Sequence, residues 1–553
     1  MDSSISSPAA TAGLAGLFQA RAAEHPDAEF LRFGDHSRSY AEVDEDVRSL
    51  AAAWQDLGVE AGDRIVVSLP NRPEAVVAVL AAARLGAPVV PVSHQSSARD
   101  LRFVLRNTEA TIAVIPERLG DTDYLQLYER LLPELPALQY LATVGEEDLW
   151  YDDRIFQFED LVSAGRGLEL ADVRIAPSDD AAILYTAGTS HKQKGVILSH
   201  GNLLFTGTAT AEALGLGPDD VTLCVVPLSN IFGIGATLIP TIATGGGLVL
   251  QEVFDDDGAL GLIERHRPTV LHGVPTIFVL LRRELAARGD GMPGRAGVDV
   301  SSLRTGIVAG APTRAELVDA LRRDLVPELE IAYGLTETSS TVTITTPDSG
   351  PARSSSVGTP LVGVEVVVLD ADERPRPTGE VGDIAVRGPN VMTGYFRQPA
   401  ATRAAFTAEG FLRTGDLGRI DAAGNLHIVG RESDVIIRGG YGVHPREIED
   451  HLRSHPAVDE VVVVGLPNEV LGELICACIV PVEGALVSED EIREHCRPAL
   501  AEYKLPDIVR FLEDVPRSEG GAPLRAEVAR AVRLREAAAD TGDEASERRA
   551  PSN

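Results

Sequence analysis

Lysine is the scarcest charged residue in the sequence: only Lys192, Lys194 and Lys504 occur, against 47 arginines. Any step that needs a compact ammonium group therefore has three candidates in the chain, because a planar guanidinium fork does not imitate one. Arginine usage this one-sided resembles GC-rich actinobacterial coding. The four cysteines, Cys224, Cys476, Cys478 and Cys496, show no C-x-x-C spacing. That excludes a disulfide framework and a thiolate metal knuckle and leaves buried small hydrophobes as the plain reading. Aromatics are 5% of residues, and no apolar run reaches the roughly 20 residues that span a bilayer. The opening stretch MDSSISSPAATAGLAGLFQARAAEHPD lacks a basic segment ahead of a long apolar one, so no signal peptide is expected and a cytoplasmic location is. Positive charge is also short, and the formal net charge is −33. Such a chain repels nucleic acid and anionic membranes, and an anionic ligand must be caught by a local site.

The chain has 553 residues, 44% of them hydrophobic, which is enough for two or more cores. Helical and strand-like stretches alternate from residue 12 onward, as in YAEVDEDVRSLAAAWQDLGV followed by DRIVVSLP, and PEAVVAVLAAARLGAPVVPV. That alternation predicts an α/β domain of parallel sheets covered by helices. Between about 355 and 430 the pattern turns to strands with turn signals, predicting a β-rich, more antiparallel subdomain. After Gly430, helix PREIEDHLRSHPAVDE, strands VVVVGLP and ICACIVPV, and helix SEDEIREHCRPALAEY read as a small α+β domain. The expected division is a flexible N-terminus 1–11, a large domain 12–432, a small domain 433–536 and a disordered tail 537–553.

Four motifs carry chemistry. Tyr185-Thr-Ala-Gly-Thr-Ser-His-Lys-Gln-Lys-Gly-Val is a strand ending in a hydroxyl- and lysine-bearing turn before a helix that starts near His200. Such turns offer backbone N–H groups to phosphate, although the Walker spacing is absent. Tyr333-Gly-Leu-Thr-Glu-Thr places a hydroxyl and a carboxylate at a strand end, where sites of α/β folds lie. Arg413-Thr-Gly-Asp416 supplies a carboxylate suited to a ribose diol. The fourth motif runs from Gly430-Arg431 through Gly439-Gly440-Tyr441 to Glu449. Taken singly, each is equally an ordinary turn or salt bridge.

In this order and spacing the four resemble the ANL superfamily of acyl-CoA synthetases, peptide-synthetase adenylation domains and luciferases, over residues 12–535. That resemblance implies a reaction in two halves: a carboxylate and ATP give acyl-AMP and pyrophosphate, then a thiol takes the acyl group and releases AMP. It implies a phosphate loop of Thr186, Gly188, Thr189, Ser190 and Lys194. It places adenine against Tyr333 and Gly334, with Gly310-Ala311-Pro312 lining the pocket. Thr336 would meet the α-phosphate, Glu337 would hold Mg²⁺ if adenylation occurs, and Asp416 and Arg431 would take the ribose. Ser433 would be the hinge of a mobile small domain, and Gly439, Gly440 and Tyr441 would line the CoA channel. The acyl pocket would be formed by Asn230, Ile231, Phe232, Gly233 and Gly235. The small and apolar character of that run suggests a bulky hydrophobic acyl group.

The departures from the family pattern cluster. Relatives read about T-S-G-T-T-G-x-P-K-G in the phosphate loop, whereas Ala187, His191 and Gln193 stand here for Ser, Gly and Pro. Near the C-terminus Pro516-Arg-Ser-Glu-Gly-Gly521-Ala522-Pro523-Leu-Arg525 places Ala522 where the adenylation lysine belongs. Asn230 occupies a position where many relatives carry His beside the acyl carbonyl; pocket tailoring is the plainer reading and orienting a carbonyl the sharper one. The implied function is an acyl-CoA ligase defective in adenylation, resembling the non-adenylating CoA ligases of platensimycin and platencin biosynthesis. Its substrates would be an acyl-adenylate from a separate adenylating enzyme and CoA. The alternatives are a complete ATP-dependent acyl-CoA synthetase and a non-catalytic acyl-adenylate-binding protein.

Overall fold

The computed structural model describes residues 13–145, 153–186, 193–289, 297–431, 434–438, 441–468, 471–500, 504–518 and 521–535. The chain divides into two compact units, 1–366 with 386–412, and 367–385 with 413–553.

The first unit is built on two large sheets. In one, strands Glu328–Tyr333, Thr305–Val308, Val270–Leu271, Val221–Cys224, Gly247–Leu250 and Glu29–Phe33 lie side by side in that order, all parallel. In the other, Val89–Pro91, Ile65–Val67, Ile112–Pro116 and Tyr140–Val144 are parallel. An antiparallel hairpin, Asp180–Thr186 with Lys194–Ser199, extends that sheet toward Gly394–Tyr395. The helices between strands are fixed by their ends. Tyr40–Asp56 starts from Ser39 with a reciprocal capping box to Glu42. Pro73–Leu85 opens on proline and closes on Gly86 in the left-handed conformation. Its Ala- and Val-rich run is buried nearly all round, as expected of a helix covered on both sides. Phe18, Phe30, Tyr40 and Trp54 anchor the core below the helices, with the Phe30 and Tyr40 rings 4.6 Å apart.

The second unit contains strands Leu412–Ile420 and Leu426–Arg431, paired antiparallel, in line with the predicted change of pattern. Beyond them a mixed five-stranded sheet forms on the long hairpin Val458–Asn468 and Gly472–Pro481. Helices Pro445–Leu452 and Glu489–Cys496 pack with it through Ile448, Leu452, Ile492 and Cys496. The first of these stops earlier than its sequence suggests, because Ser454-His-Pro456 follows its last turn and the chain enters a strand at Val458. Two elements were not foreseen. Ile508–Phe511 adds a parallel strand beside Gly472–Pro481, and Lys194–Ser199 is a strand, so the hydroxyl-rich turn joins two strands and the helix follows only at His200. All four cysteines are buried and free. Among the described residues no helix is long and apolar enough to cross a membrane.

Candidate active site

Because Val221–Cys224, Val270–Leu271, Thr305–Val308 and Glu328–Tyr333 run parallel in close register, the segments that follow them leave from one edge of the sheet. That carboxyl edge is where ligand sites of such sheets form. Buried Asn71 fixes the first segment: its amide donates to the Val226 carbonyl (3.0 Å) and its Oδ1 accepts from Leu228 N–H (2.8 Å). The second and third segments are tied together by Gly273 N–H to Ile307 O (2.9 Å) and Ala309 N–H to Gly273 O (3.2 Å). Gly310 then turns with φ +85° and exposes Gly310 and Pro312 at the edge, with Ala311 half-buried.

The fourth segment is the most constrained. Tyr333, half-buried, ends its strand; Gly334 follows where any side chain would collide with the Ser340 carbonyl oxygen. Thr336–Thr338 form one 3-10 turn, closed by Ser340 N–H to Leu335 O (3.1 Å), with Ser339 and Ser340 both at positive φ. Ser339 Oγ donates to Asn390 O (2.9 Å) and Met392 N–H to Glu337 O (2.9 Å). This seats the turn against the strand Gly394–Tyr395. There the Tyr395 hydroxyl donates to Glu337 Oε1 at 2.9 Å. Burial and the Glu337 carboxylate both raise the Tyr395 phenol above its ordinary pKa, so it remains a donor. On the face of the same ring lies Lys194 Nζ, 4.7 Å from the centroid. Lys194 is the register partner of Thr186, so the base of the hydroxyl-rich turn and the Thr336–Glu337 turn meet at Tyr395.

Asn230 is exposed at the end of the first segment, and its Oδ1 accepts from Gly233 N–H at 3.0 Å. That bond closes the turn leading into the π-helical stretch Phe232–Leu238, a rare element often found at functional sites. Ile231 is buried and Phe232 half-buried. The two glycines are explained by the chain's own backbone: a methyl group at Gly233 would lie 2.1 Å from Pro227 O, and one at Gly235 would lie 2.5 Å from Ser339 O. Their smallness therefore serves close packing, and the room for an acyl group is not read from them.

In the second unit Asp416 is 5% exposed and is the register partner of Arg431, whose Nε donates to its Oδ1 at 3.2 Å. Gly415 turns at φ +73°, and Thr414 Oγ1 accepts from Asp416 N–H (3.1 Å). Strands Ile436–Arg438 and Tyr441–Val443 pair, with Arg438 opposite Tyr441 and held by Asp507 (Nε–Oδ2 2.8 Å). Ala522 sits where Ser518 N–H donates to its carbonyl (2.8 Å) and Arg517 pairs with Pro523. The cations around it are engaged. Arg525 bonds Glu449, Asp434 (3.1 Å) and the Val463 carbonyl (2.7 Å); Arg517 bonds Glu460 and the Gly521 carbonyl (2.7 Å). Lys504 holds both Glu447 oxygens at 2.6 and 2.7 Å.

Residues 18–396 match the AMP-binding enzyme family and 447–522 its C-terminal domain. The chain belongs to the AMP-binding enzyme family. This AMP-binding enzyme is 32% identical over 530 residues to a putative acyl-CoA synthetase, YngI, of Bacillus subtilis, covering 91% of this chain and 94% of the relative. It is 34% identical over 502 residues to a methyl-dioxo-octahydroindenyl-propanoyl:CoA ligase of Mycobacterium tuberculosis, covering 90% and 94%. Among solved structures it is similar to ATP-bound MatB from Rhodopseudomonas palustris (TM-score 0.82, 30% identity, 94% and 98% covered). It is also similar to the anthranilate CoA ligase AuaEII in complex with anthranoyl-AMP (0.84, 25%, 96% and 98%). The ANL fold expected from the motifs, a large N-terminal domain with a small C-terminal one, is the fold observed.

Of this AMP-binding enzyme's expected site residues, the structure gathers Thr186, Lys194, Tyr333, Gly334, Thr336 and Glu337 in the first unit, with Gly235 packed on the same turn. Asn230–Gly233 and Gly310–Pro312 leave the same sheet edge. Gly188, Thr189, Ser190, Ser433, Gly439, Gly440, the Tyr441 side chain and the segments 1–11 and 537–553 lie outside the described residues. Tyr395 was missed. It sits in Met392-Thr-Gly-Tyr-Phe396, whose only sequence signal is an aromatic pair after glycine.

Proposed function

We propose that this AMP-binding enzyme is an acyl-CoA ligase confined to the second half-reaction: it accepts an acyl-adenylate, lets the CoA thiol attack the acyl carbonyl, and releases AMP. The observation that carries the reading is Ala522 at the adenylation-lysine position, with Arg517, Arg525 and Lys504 all held by carboxylates of their own unit. Lys194 is placed on Tyr395. A preorganised cation at the transferring phosphoryl group is worth on the order of a hundred- to a thousand-fold in rate; each of these groups already has a partner, and Lys192, the third lysine, lies outside the described residues.

In this reading Tyr333 and Gly310–Pro312 hold adenine, Asp416 and Arg431 the ribose, and Thr336 the phosphate. Asn230, its Oδ1 held by Gly233 N–H, orients the acyl carbonyl, and Gly439, Gly440 and Tyr441 admit the pantetheine arm. Ser433 is the hinge between functional domains 12–432 and 433–536. Glu337 suits Mg²⁺ chemically, since Mg²⁺ commonly takes one carboxylate beside substrate phosphates. Here the ion is needed only where adenylation runs. The acyl group is bulky and polycyclic, of the kind made in diterpenoid natural-product pathways; the fused-ring propanoyl substrate named for the mycobacterial relative supports that class. A separate adenylating enzyme supplies the adenylate in the cytoplasm.

A second reading, a complete ATP-dependent synthetase, is favoured by the likeness to ATP-bound MatB and by the retained Glu337. The test is thioester formation from carboxylic acid plus ATP against formation from a synthetic acyl-adenylate without ATP. Turnover from the adenylate alone supports the proposal. Comparable turnover by both routes overturns it in favour of the synthetase, and no thioester from either route would leave an adenylate-binding protein.

A further inference from the structure

Cys476 and Cys478 share one face of the strand Gly472–Pro481, both fully buried, with their Sγ atoms 3.8 Å apart. That face packs with Val462, Val464 and Val515 and is covered by Val528 and Val532 of helix 525–535, which begins three residues after Ala522. A short helix held over a sheet by two buried valines opens locally more readily than the strands beneath it. Ala477, between the two cysteines, points to the opposite face and lies opposite Val463 in the long hairpin. The Val463 carbonyl accepts from Arg525 Nη1 at 2.7 Å, and its N–H donates to Glu449 Oε1 at 2.8 Å. The first residue of the covering helix is thus anchored to the strand position that faces the residue between the thiols.

We propose that Cys476 and Cys478 are a redox-modification site: hydrogen peroxide oxidises the pair to a disulfide, and closing that bond unseats helix 525–535. The proposal is independent of the acyl-adenylate reading. While the helix is open, one thiolate attacks a peroxide oxygen, the O–O bond breaks, and a sulfenic acid and water form. The second thiol attacks that sulfur; the S–S bond forms, the S–O bond breaks and a second water leaves. Two thiols and one peroxide thereby give one disulfide and two waters. Residues two apart on a flat strand stand about 6.4–6.8 Å apart at Cα, the outer limit of what a disulfide spans, so closure puckers the strand at Ala477. The pucker shifts Val463 opposite and with it the anchor of Arg525. A bridge closed under such constraint is readily reduced again, the behaviour of regulatory rather than structural disulfides.

The test treats the full-length reduced protein with hydrogen peroxide, blocks the remaining thiols, and weighs the tryptic peptide 454–493, which holds Cys476 and Cys478 and no other cysteine. The peptide is expected to lose two hydrogens and to regain them with a phosphine reductant. Amide hydrogen exchange across 525–535 is expected to quicken about tenfold or more in the oxidised protein and to slow again on reduction. Cys476→Ala and Cys478→Ala each leave a single thiol and should show neither change; unchanged melting temperatures establish that they fold. A peptide that keeps both thiols, or gains oxygen instead of losing hydrogen, overturns the proposal. So does a bridge that forms while exchange across 525–535 stays as it was. Both readings come from the unmodified sequence, so they decide the matter even where a variant fails to fold, and neither bears on the ligase reading.

Discussion

Arg525 faces Glu449 in a bidentate ion pair, Nη1 on Oε1 and Nη2 on Oε2 at 3.0 Å, and Glu449 Oε1 also accepts from Val463 N–H at 2.8 Å. Glu449 is 2% exposed. The pair ties the segment after Ala522 to helix Pro445–Leu452 and to the long hairpin. Removing Arg525 leaves buried Glu449 with only the longer pair to Arg453 (3.5 Å), and breaking a buried pair typically costs about 3–5 kcal/mol. Arg525→Met should therefore destabilise the second unit by that order, and the double variant with Glu449→Leu should recover much of the loss. Denaturant unfolding of the two variants checks this; a loss under 1 kcal/mol for Arg525→Met would contradict it.

Placing an ammonium group at position 522 is the complementary change. Ala522→Lys should raise acyl-AMP formation from acid and ATP, read as pyrophosphate exchange, by on the order of a hundred-fold or more. Thioester formation from a supplied adenylate should stay within about threefold. If exchange in the unmodified enzyme is already fast and Ala522→Lys leaves it unchanged, the lysine position is not what limits adenylation.

Tyr395 is expected to act on Glu337. Tyr395→Phe removes the hydroxyl that donates at 2.9 Å but keeps the ring under Lys194. Hydrogen bonds to charged groups are worth about 1.5–3 kcal/mol, so acyl-AMP formation in the Ala522→Lys background should fall roughly ten- to hundred-fold, while turnover from a supplied adenylate should stay within about threefold. Tyr395→Leu, which also removes the ring, should lower acyl-AMP formation further. Single-turnover rates for the two variants separate the contributions.

Acid should weaken the first unit. His272 and His200 are held down by burial to about 3 and about 4, from 6.5. In both cases the unfolded chain binds the proton more readily, so the stability present above pH 6.5 is lost as pH falls toward the folded values. At pH 5 each histidine should account for about 2 kcal/mol. Urea midpoints at pH 7 and pH 5 test this, and His272→Asn should remove about half of the fall. A midpoint that holds steady across that range would contradict it.

Much of the fold was legible because periodicity and end signals agree. Ser39 with Glu42, or Pro73 with Gly86, mark helices that form where expected. The strand Lys194–Ser199 was less legible, since six residues between a turn and a helix show little period, and its antiparallel pairing with Asp180–Thr186 is a tertiary choice. In the site, residues with unusual chemistry in ordered motifs were visible, such as Thr336, Glu337 and Asp416. Tyr395 was not, because it works through a partner distant in sequence, Glu337. Gly233 and Gly235 read as openness in one dimension and proved to be points of closest approach in three.

That contact between Gly235 and the Ser339 carbonyl has an evolutionary side. The wall behind the segment Phe232–Leu238 is the turn at Thr336–Ser340, so a side chain added at 235 would push on that turn. Change in this segment is thereby channelled away from both glycines, and a library built to broaden substrate range should vary exposed Asn230 and half-buried Phe232 and leave both glycines as they are.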